Sequence, residues 1–548
     1  MSSESKEFQL PKFEEVPESE HHAMLRFLLG YCETLKEQLA LQSERLSLQA
    51  EQIKQLRDEI SILKGEKPRP KIKPSTLNKD KDDKSGGDGG GKTQKRGKPL
   101  CKKTQELEIH ETKIIPPSDI PPGSIFKGYE DYVVQDIEIK LKNINFRRER
   151  YETPRGETVT GELPEWVKGT HFGPILRGYV LSQYYEQHVP QRLVLKQLWQ
   201  FGVRISAGQL NSLIIERHEP FHEEKEEVLR VGLRVSSYVN VDDTAARHKG
   251  RNGYCTHIGN ELFAWFSSTE SKSRINFLEL LCVGHSDYVV DEIARQYMEQ
   301  QKLPALQLEL LSGDRTFSDK ASFAAYLTTV GLLTKHHRKV ATEGALLASI
   351  LAHGISPELV ILSDDAGQFN VLGLLHALCW IHAERTINKL IPFSDQNRII
   401  QEQLRDQIWT FYQDLKQYKL APLPEVKATL AARFDAMFLQ KTCFQTLNLA
   451  LARIYQNKAE LLLVLDRPEI PLHNNLSEND IRDYVKKRKI SATTRSDLGR
   501  QARDTFLSLK KTCQKLGVSF WEYLQDRLTL SMNIPPLPSL ISAAAGAP

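Results

Sequence analysis

Two apolar segments of this sequence, both rich in β-branched residues, end in a pair of aspartates. Residues 238–241 (YVNV) precede Asp242-Asp243, and residues 359–363 (LVILS) precede Asp364-Asp365. Short apolar runs of this kind predict buried strands. Because an open α/β sheet exposes functional groups at the C-terminal edge of neighbouring strands, we expect the two pairs to converge. An aspartate at a strand end is, by itself, more often a turn cap.

The surroundings of the two aspartate pairs predict a mixed α/β domain. Strand candidates at 253–259 and 262–267, joined by a short turn, continue the first strand as a meander. After the second pair we predict a helix over 371–378 and a largely helical stretch from 383 to about 465. Upstream, helices are expected at 173–188 and 192–201.

A third carboxylate, Glu478, opens a predicted helix in which Arg482 and Lys486 follow at intervals of four residues. The cationic run that follows is denser than intrahelical pairing with Asp480 and Asp483 can absorb, so phosphate contact is the better explanation. The cations predicted to bind DNA are Arg482, Lys486, Lys487, Arg488, Lys489, Arg495 and Arg500.

Two strand-end carboxylates and a third from a helix suit hard Mg²⁺ ions, which prefer oxygen ligands. Two such ions about 3.5–4 Å apart can activate an attacking oxygen and stabilise a leaving one in phosphoryl transfer. Asp242, Asp364 and Glu478 are therefore the predicted metal ligands and catalytic residues. Asp243 and Asp365 remain alternatives, because adjacent strand residues point to opposite faces.

Residues 202–206 predict a tight turn with Ser206 as the N-cap of a helix reaching about residue 217. With the preceding helix this gives a helix-turn-helix outline. Gln209 and Asn211 would face base edges, and Arg217 would face phosphate. An ordinary helical hairpin is the alternative interpretation.

The N-terminal part shows a heptad seam over residues 23–64, which predicts a two-stranded coiled coil, or else one amphipathic helix. Residues 65–104 are too rich in Lys, Gly and Pro to adopt an ordered structure, so a disordered basic linker is expected. Within it, residues 86–93 (GGDGGGKT) fit the Walker A pattern, but no apolar strand precedes them and no helix follows, which argues against an ATP site. Residues 105–168 suggest a small β-containing module with strands at 132–134 and 137–139.

Composition sets broader limits. A chain of 548 residues is expected to form several domains, and its formal net charge of +4 leaves basic patches to be found locally. The seven cysteines form no CxxC pair, and no segment resembles a secretion signal or a membrane span, so a reducing cytoplasm is expected.

The segments VDDT, SDDAGQF, CWIHAER and NNLSENDIR followed by KKRK resemble, in that order, the landmarks of DDE transposases of the insertion sequence 66 family. The resemblance covers roughly residues 170–525. It implies a ribonuclease-H-like catalytic core whose DDE residues are Asp242, Asp364 and Glu478. Phe369, five positions after Asp364, favours Asp364 over Asp365, as in related integrases.

The resemblance also implies cofactors and partners. Mg²⁺ would be the cofactor, with Mn²⁺ substituting, and the partners would be the terminal inverted repeats of a mobile element and target DNA. A homodimer through the coiled coil, accessory transposition proteins and a prokaryotic, nucleoid-associated location are expected. Because Cys101 and His110 alone remain where relatives carry a cysteine-rich element, no structural zinc is expected. Cys379, Trp380 and His382 would support the active site.

The expected fold is thus multidomain α/β, a ribonuclease-H-like core with a helical insertion behind a coiled coil and helix-turn-helix-like helices. The predicted order is a tail (1–22), the coiled coil (23–64), the linker (65–104), the β-containing module (105–168), the DNA-binding helices (169–232), the first part of the core (233–392), the helical insertion (393–468), the second part of the core with Glu478 (469–530) and a C-terminal tail (531–548).

Two other functions stay open: an inactive or domesticated DNA-binding protein, and a ribonuclease-H-like nuclease without transposition.

Overall fold

The computed structural model describes residues 108–121, 123–392 and 394–546. The predicted coiled coil, the basic linker and the glycine-rich segment at 86–93 lie outside these ranges. Described residues up to Glu130 and those from Asp131 onward belong to separate units. No helix in the described ranges is both long and apolar enough to cross a membrane.

The first regular element is a short antiparallel hairpin, β1 (Arg150–Glu152) with β2 (Thr158–Thr160). The strands predicted at 132–134 and 137–139 are wrong, because both segments are irregular and exposed. Tyr132 is 91% exposed and Ile137 84% exposed, so neither segment has an apolar surface to pack against. β-propensity without such a surface does not make a strand.

Four helices precede the central sheet; the first three confirm the helices predicted from the sequence, and the fourth was not predicted as a separate helix. Ser206 caps the third of them: its side chain accepts a hydrogen bond from the Gln209 backbone, and the Gln209 side chain accepts one from the Ser206 backbone. The helices are α1 (Pro174–Leu181, continued by a π-helical turn at Ser182–Glu186), α2 (Gln191–Gln200), α3 (Ala207–Ile215) and α4 (Glu219–Val235).

The predicted meander follows as β3 (Tyr238–Ala245), β4 (Tyr254–Gly259) and β5 (Ala264–Thr269), paired antiparallel in sequence order. A segment that the sequence analysis did not anticipate comes next. It contains α5 (Arg274–Leu281), β6 (Tyr288–Val290), α6 (Glu292–Gln300), α7 (Ala305–Leu310), β7 (Arg315–Phe317), α8 (Lys320–Thr329) and α9 (Lys335–Ala352), with β6 and β7 forming an antiparallel pair.

The remaining strands of the central sheet are β8 (Val360–Ser363) and β9 (Leu375–Leu378). Strand order is β5-β4-β3-β8-β9, with β8 parallel to both β3 and β9. This five-stranded mixed sheet is consistent with a ribonuclease-H-like core. The helix predicted over 371–378 is wrong, since a short apolar run does not by itself distinguish a buried parallel strand from a helix.

The predicted helical stretch after the sheet is confirmed, and its helices share a separate apolar core around Trp380 and Phe434. They are α10 (Trp380–Asn388), α11 (Asp395–Leu420), α12 (Pro424–Phe438), α13 (Gln445–Gln456) and α14 (Lys458–Leu462), followed by a short 3₁₀ turn at Leu463–Leu465.

The chain then returns to the sheet through α15 (Asn475–Ser491), α16 (Asp497–Lys515), α17 (Phe520–Thr529) and α18 (Leu537–Gly546). Helix α16 covers the free edge of β5. Its side chains Asp504, Ser508 and Thr512, spaced four apart, accept hydrogen bonds from backbone amides of β5 at 2.7, 2.9 and 3.2 Å. An edge strand that is hydrogen-bonded in this way is protected from pairing with other chains.

Candidate active site

The two aspartate pairs lie on neighbouring parallel strands at the same level. Tyr238 pairs with Val360 and Asn240 pairs with Leu362. The same register carried two residues further brings Asp242 level with Asp364. The predicted convergence of the two pairs at one edge of the sheet is therefore what the strand pairing produces.

Asp242 is half-buried, and its carboxylate accepts one hydrogen bond, from the backbone amide of Asp243 at 2.7 Å. Burial and, to a lesser extent, the negative charges of Asp364, Asp243 and Glu478 together raise its pKa to about 7, against the opposing effect of that hydrogen bond. Asp242 therefore lies within electrostatic reach of the other two predicted acids. A cation at this position would relieve the repulsion.

The neighbouring aspartates, Asp243 and Asp365, are both engaged elsewhere. Asp243 accepts hydrogen bonds from the Thr256 hydroxyl at 2.5 Å and from the Gln368 amide at 2.9 Å. Asp365 is exposed and is bound by the Arg453 guanidinium and by the Asn457 amide, which lies 3.3 Å away. Asp242 and Asp364 are therefore the members of the two pairs whose carboxylates accept fewer hydrogen bonds.

Glu478 reaches the same edge from the first turn of α15. Its Oε1 atom is buried and has no hydrogen-bond partner among the described residues. Three cationic or imidazole groups surround the carboxylate without hydrogen-bonding it: His382 Nε2 at 3.7 Å, Arg385 at 3.6 Å and Arg482 at 3.6 Å. A buried carboxylate oxygen without a partner is costly, and it fits a ligand for a bound cation.

The ligand atoms of Asp242, Asp364 and Glu478 do not all lie within 4.8 Å of one another. Across the described residues, one group of three metal-ligating side chains has all its ligand atoms within 4.8 Å of one another, and it is His285, Asp287 and His353. Its two imidazole rings stack in parallel with centroids 3.5 Å apart, so their nitrogens do not point at a common position.

Helix α15 places charged residues on two faces. The inward face carries Asp480 and Asp483, which pair with Lys515 at 2.9 Å and Lys510 at 2.6 Å on α16. The intrahelical pairing that the sequence analysis considered for these aspartates is thus wrong. Lys487 also lies on this face and is 2% exposed.

Lys487 does not fit the DNA contact predicted for it. Its amine donates to the Tyr184 carbonyl and lies 3.2 Å from the centre of the Tyr184 ring. Burial, together with the positive charges of Arg503 and Lys510, lowers its pKa to about 6. A buried amine with these contacts has no surface left for a phosphate.

The outward face of α15 and the following loop hold most of the other cations predicted to bind DNA. Lys486, Lys489 and Arg495 are exposed and make no ion pair with any described residue. Arg488 lies 3.4 Å from the hydroxyl of Thr244, which is two residues beyond Asp242 on β3. Arg482 is held beside Glu478, and Arg500 pairs with Asp497 at 3.5 Å.

The β3–β4 turn adds cations that the sequence analysis missed. Arg247 and Arg251 are exposed and form no ion pair within the described ranges, and the Lys249 amide donates to the Thr494 carbonyl at 2.9 Å. The turn is therefore fixed beside the loop that carries Arg495. The sequence signal for these cations was the basic segment ARHKGR (246–251), which begins three residues after Asp243.

The helix-turn-helix-like residues are less available than predicted. The Gln209 side chain is used in the cap of α3. Arg217 follows the end of that helix with φ of 61°, and its guanidinium donates to the Gly169 carbonyl. Asn211 is half-buried on α3. Two of the three side chains thus already have internal partners.

Cys379, Trp380 and His382, which were predicted to support the active site, have different surroundings. Cys379 is buried, and its sulfur accepts the Asn474 backbone amide at 3.3 Å. Trp380 begins α10 and lies in the helical core, where its indole donates to the Leu461 carbonyl at 3.0 Å. Its ring is enclosed in this core. His382 lies beside Glu478, and burial is the main cause of its lowered pKa.

Comparisons with known proteins agree with this arrangement. The family model described as "Transposase IS66 family" matches residues 334–502, which include Asp364 and Glu478. An uncharacterized protein, y4jO, of Sinorhizobium fredii (strain NBRC 101917 / NGR234) is 45% identical over 323 residues, which is 58% of this chain and 100% of that protein. The chain belongs to the IS66 family of transposases.

Proposed function

We propose that this protein cuts DNA at the ends of a mobile element and joins the resulting 3′-OH ends to target DNA. Asp242, Asp364 and Glu478 are the catalytic residues of this proposal. The observation that carries it is the meeting of these carboxylates, from β3, β8 and α15, at one sheet edge beside a basic surface. Family membership supports DNA as the substrate.

The residues at this edge fit divalent metal ions. The unpartnered Oε1 of Glu478 and the raised pKa of Asp242 are both features that a bound cation would stabilise. Mg²⁺ suits an all-carboxylate set, and Mn²⁺ accepts the same ligands. When bound, two such ions would activate the attacking oxygen, water in cleavage and a 3′-OH in joining, and would stabilise the leaving oxygen.

The protein's own residues would hold the DNA strand across this edge. Lys486, Lys489 and Arg495 would contact phosphates from α15 and the following loop, with Arg247 and Arg251 extending the surface on the β3–β4 turn. Arg488 lies nearest to the acids through its contact with Thr244. His382 and Arg385 border Glu478 and would limit the directions that its carboxylate can take.

Further parts of the proposal rest on the family and on the sequence. The terminal inverted repeats and target DNA would be the two DNA partners, and the segment 23–64 would pair two protomers so that both ends are cut together. Accessory transposition proteins and a cytoplasmic location follow from the family alone.

The test is a cleavage and strand-transfer assay with purified protein, Mg²⁺ and labelled DNA from the ends of the element. The wild-type protein should give products joined to a second DNA molecule, and Asp364→Asn should abolish both cutting and joining. Asp365→Asn is the matched control, because this neighbour is bound to Arg453 rather than turned to the site, and it should retain activity. Joining that survives Asp364→Asn would contradict the proposal, and cut ends that are never joined would indicate a nuclease.

A further inference from the structure

A single buried asparagine, Asn474, links the three chain segments that carry the acids. It is 1% exposed and precedes α15 at the N-cap position. Asparagine at this position normally caps its helix with its own side chain. Here the side chain makes no capping hydrogen bond. It is turned instead toward strand β3.

The side-chain contacts of Asn474 both go to β3. Its Nδ2 donates to the Val241 carbonyl at 2.8 Å, and its Oδ1 accepts from the Asn240 amide at 2.8 Å. Because the Val241 carbonyl can only accept, Nδ2 must face it, and this fixes the orientation of the amide. Val241 is the residue immediately before Asp242. Asn240 is fully buried, so neither bond can be replaced by water.

The backbone of Asn474 connects the other two acids. Its N–H donates to the sulfur of Cys379 at 3.3 Å, and the Cys379 N–H donates in turn to the Ser363 carbonyl at 3.0 Å, immediately before Asp364. Its carbonyl accepts the Glu478 amide at 3.2 Å. Hydrogen bonds thus connect Asn474 to the residue before Asp242 and, through Cys379, to the residue before Asp364. A third connects it to Glu478, one helical turn away.

We infer that Asn474 is a positioning residue, which sets the spacing of the three carboxylates and through it the affinity for divalent metal. The inference rests on the proposed function for its catalytic consequence. Its metal-binding consequence is separate and can be measured without any reaction. Displacement of one carboxylate by about 1 Å is enough to reduce a rate about 100-fold.

The variant Asn474→Ala removes both side-chain bonds to β3. Gln401→Ala is a matched control, because Gln401 is also a buried amide, 6% exposed, whose Nε2 donates to two backbone carbonyls at 2.7 and 3.1 Å within the helical region. A merely structural asparagine would behave as this glutamine does. Asn240→Ala, which removes one of the two side-chain bonds, serves as a milder variant if Asn474→Ala does not fold.

Three properties are measured. They are the temperature of thermal unfolding, the binding of Mn²⁺ to the full-length protein as monitored by electron paramagnetic resonance, and the separate values of kcat and KM for element-end DNA over a range of Mg²⁺ concentrations. Both alanine variants should melt at lower temperature. For Asn474→Ala we expect weaker Mn²⁺ binding, a higher Mg²⁺ concentration for half-maximal rate, and a kcat reduced about 30- to 100-fold at unchanged KM. Gln401→Ala should leave these quantities as in the wild type, and Asn240→Ala should fall between.

The inference is overturned if Asn474→Ala or Asn240→Ala binds Mn²⁺ as the wild type does, or if activity falls only in proportion to folded protein. A wild-type protein that binds Mn²⁺ but neither cuts nor joins DNA would contradict the proposed function. In that case the comparison of Mn²⁺ affinities still decides whether Asn474 positions the acids.

Discussion

Helix α15 carries carboxylates and cations on both of its faces, but the two faces meet different surroundings. On the inward face Asp480 and Asp483 are buried against the lysines of α16, and Lys487 is buried against Tyr184. On the outward face Glu478 borders the sheet edge, and Lys486 is exposed. The same residue types are thus paired inside the fold on one side and are exposed or incompletely paired on the other.

The two faces differ because their acids contact different groups, since both faces carry the same residue types. Burial would raise the pKa of each inward aspartate, but contacts with a histidine and a lysine outweigh it and lower the pKa. The partners are His257 and Lys515 for Asp480, and His188 and Lys510 for Asp483. Glu478 has only looser neighbours at 3.6–3.7 Å and an oxygen without a partner in the described part of the chain. An acid that is incompletely paired in a folded protein is a better candidate for function than one that is fully paired.

The largest expected effect comes from exchanging one carboxylate on each face for its amide. Glu478→Gln should reduce cleavage and joining by more than the roughly 100-fold typical of residues that only support a metal ligand, with little loss of stability. Asp480→Asn should instead destabilise the protein by about 3 kcal/mol, because it leaves buried Lys515 and His257 without their charged partner.

Urea unfolding and the strand-transfer assay, run on both variants, separate the two outcomes. The activity of Asp480→Asn should follow the folded fraction and recover under conditions that restore folding. An Asp480→Asn protein that is stable but inactive, or a Glu478→Gln protein that is active, would remove the distinction between the faces.

Strands with strong local patterns could be predicted from sequence. The runs that became β3, β4, β5 and β8 carry alternating or continuous apolar residues, and each forms where expected. Strand β9 was missed because its short apolar run fits a helix as well as a strand, and only pairing with β8 makes it a strand. Tertiary contacts decide short apolar segments of this kind.

At the candidate site, Asp242 and Asp364 were predicted from their positions at strand ends and Glu478 from its position in a helix, whereas the choice within each aspartate pair depends on contacts far apart in the chain. Asp365 is held by Arg453, 88 residues away, which no local pattern reveals. The misplacement of Lys487 could have been avoided. It follows Asp480 by seven residues and Tyr484 by three, and this helical spacing assigns it to the buried face. The positions of Asn474 and of the β3–β4 turn needed the fold.

A second prediction concerns Asp242, which faces the outward carboxylate Glu478. Its pKa of about 7 in the folded protein lies above the unfolded value of 3.8, so the folded protein binds more protons between about pH 4 and pH 7. Stability of the metal-free protein should therefore fall as pH rises through this window. Asp242→Asn removes this loss and should be more stable than wild type by about 1–3 kcal/mol at pH 8, with the difference vanishing near pH 4.

Urea denaturation at pH 4, 6 and 8 in the presence of EDTA measures this effect. Mg²⁺ added at pH 8 should stabilise the wild type and leave Asp242→Asn almost unchanged, because the variant lacks the charge that the ion would neutralise. A constant difference between the two proteins across this pH range would mean that neither burial nor the neighbouring acids raise the pKa of Asp242 in the folded protein, and the prediction would be wrong.

The smallest effect separates two adjacent lysines. Lys486→Ala removes an exposed charge and should weaken binding to element-end DNA roughly 3- to 5-fold and reduce the salt dependence of binding by about one counterion. Lys487→Met keeps the length of a buried side chain and should bind DNA as the wild type does, because that amine faces Tyr184. Fluorescence anisotropy between 50 and 200 mM salt, in Ca²⁺ so that no strand is cut, measures both values. If Lys487→Met weakened binding as much as Lys486→Ala, DNA would have to reach the inward face, and the division of α15 into a structural and a functional side would be wrong.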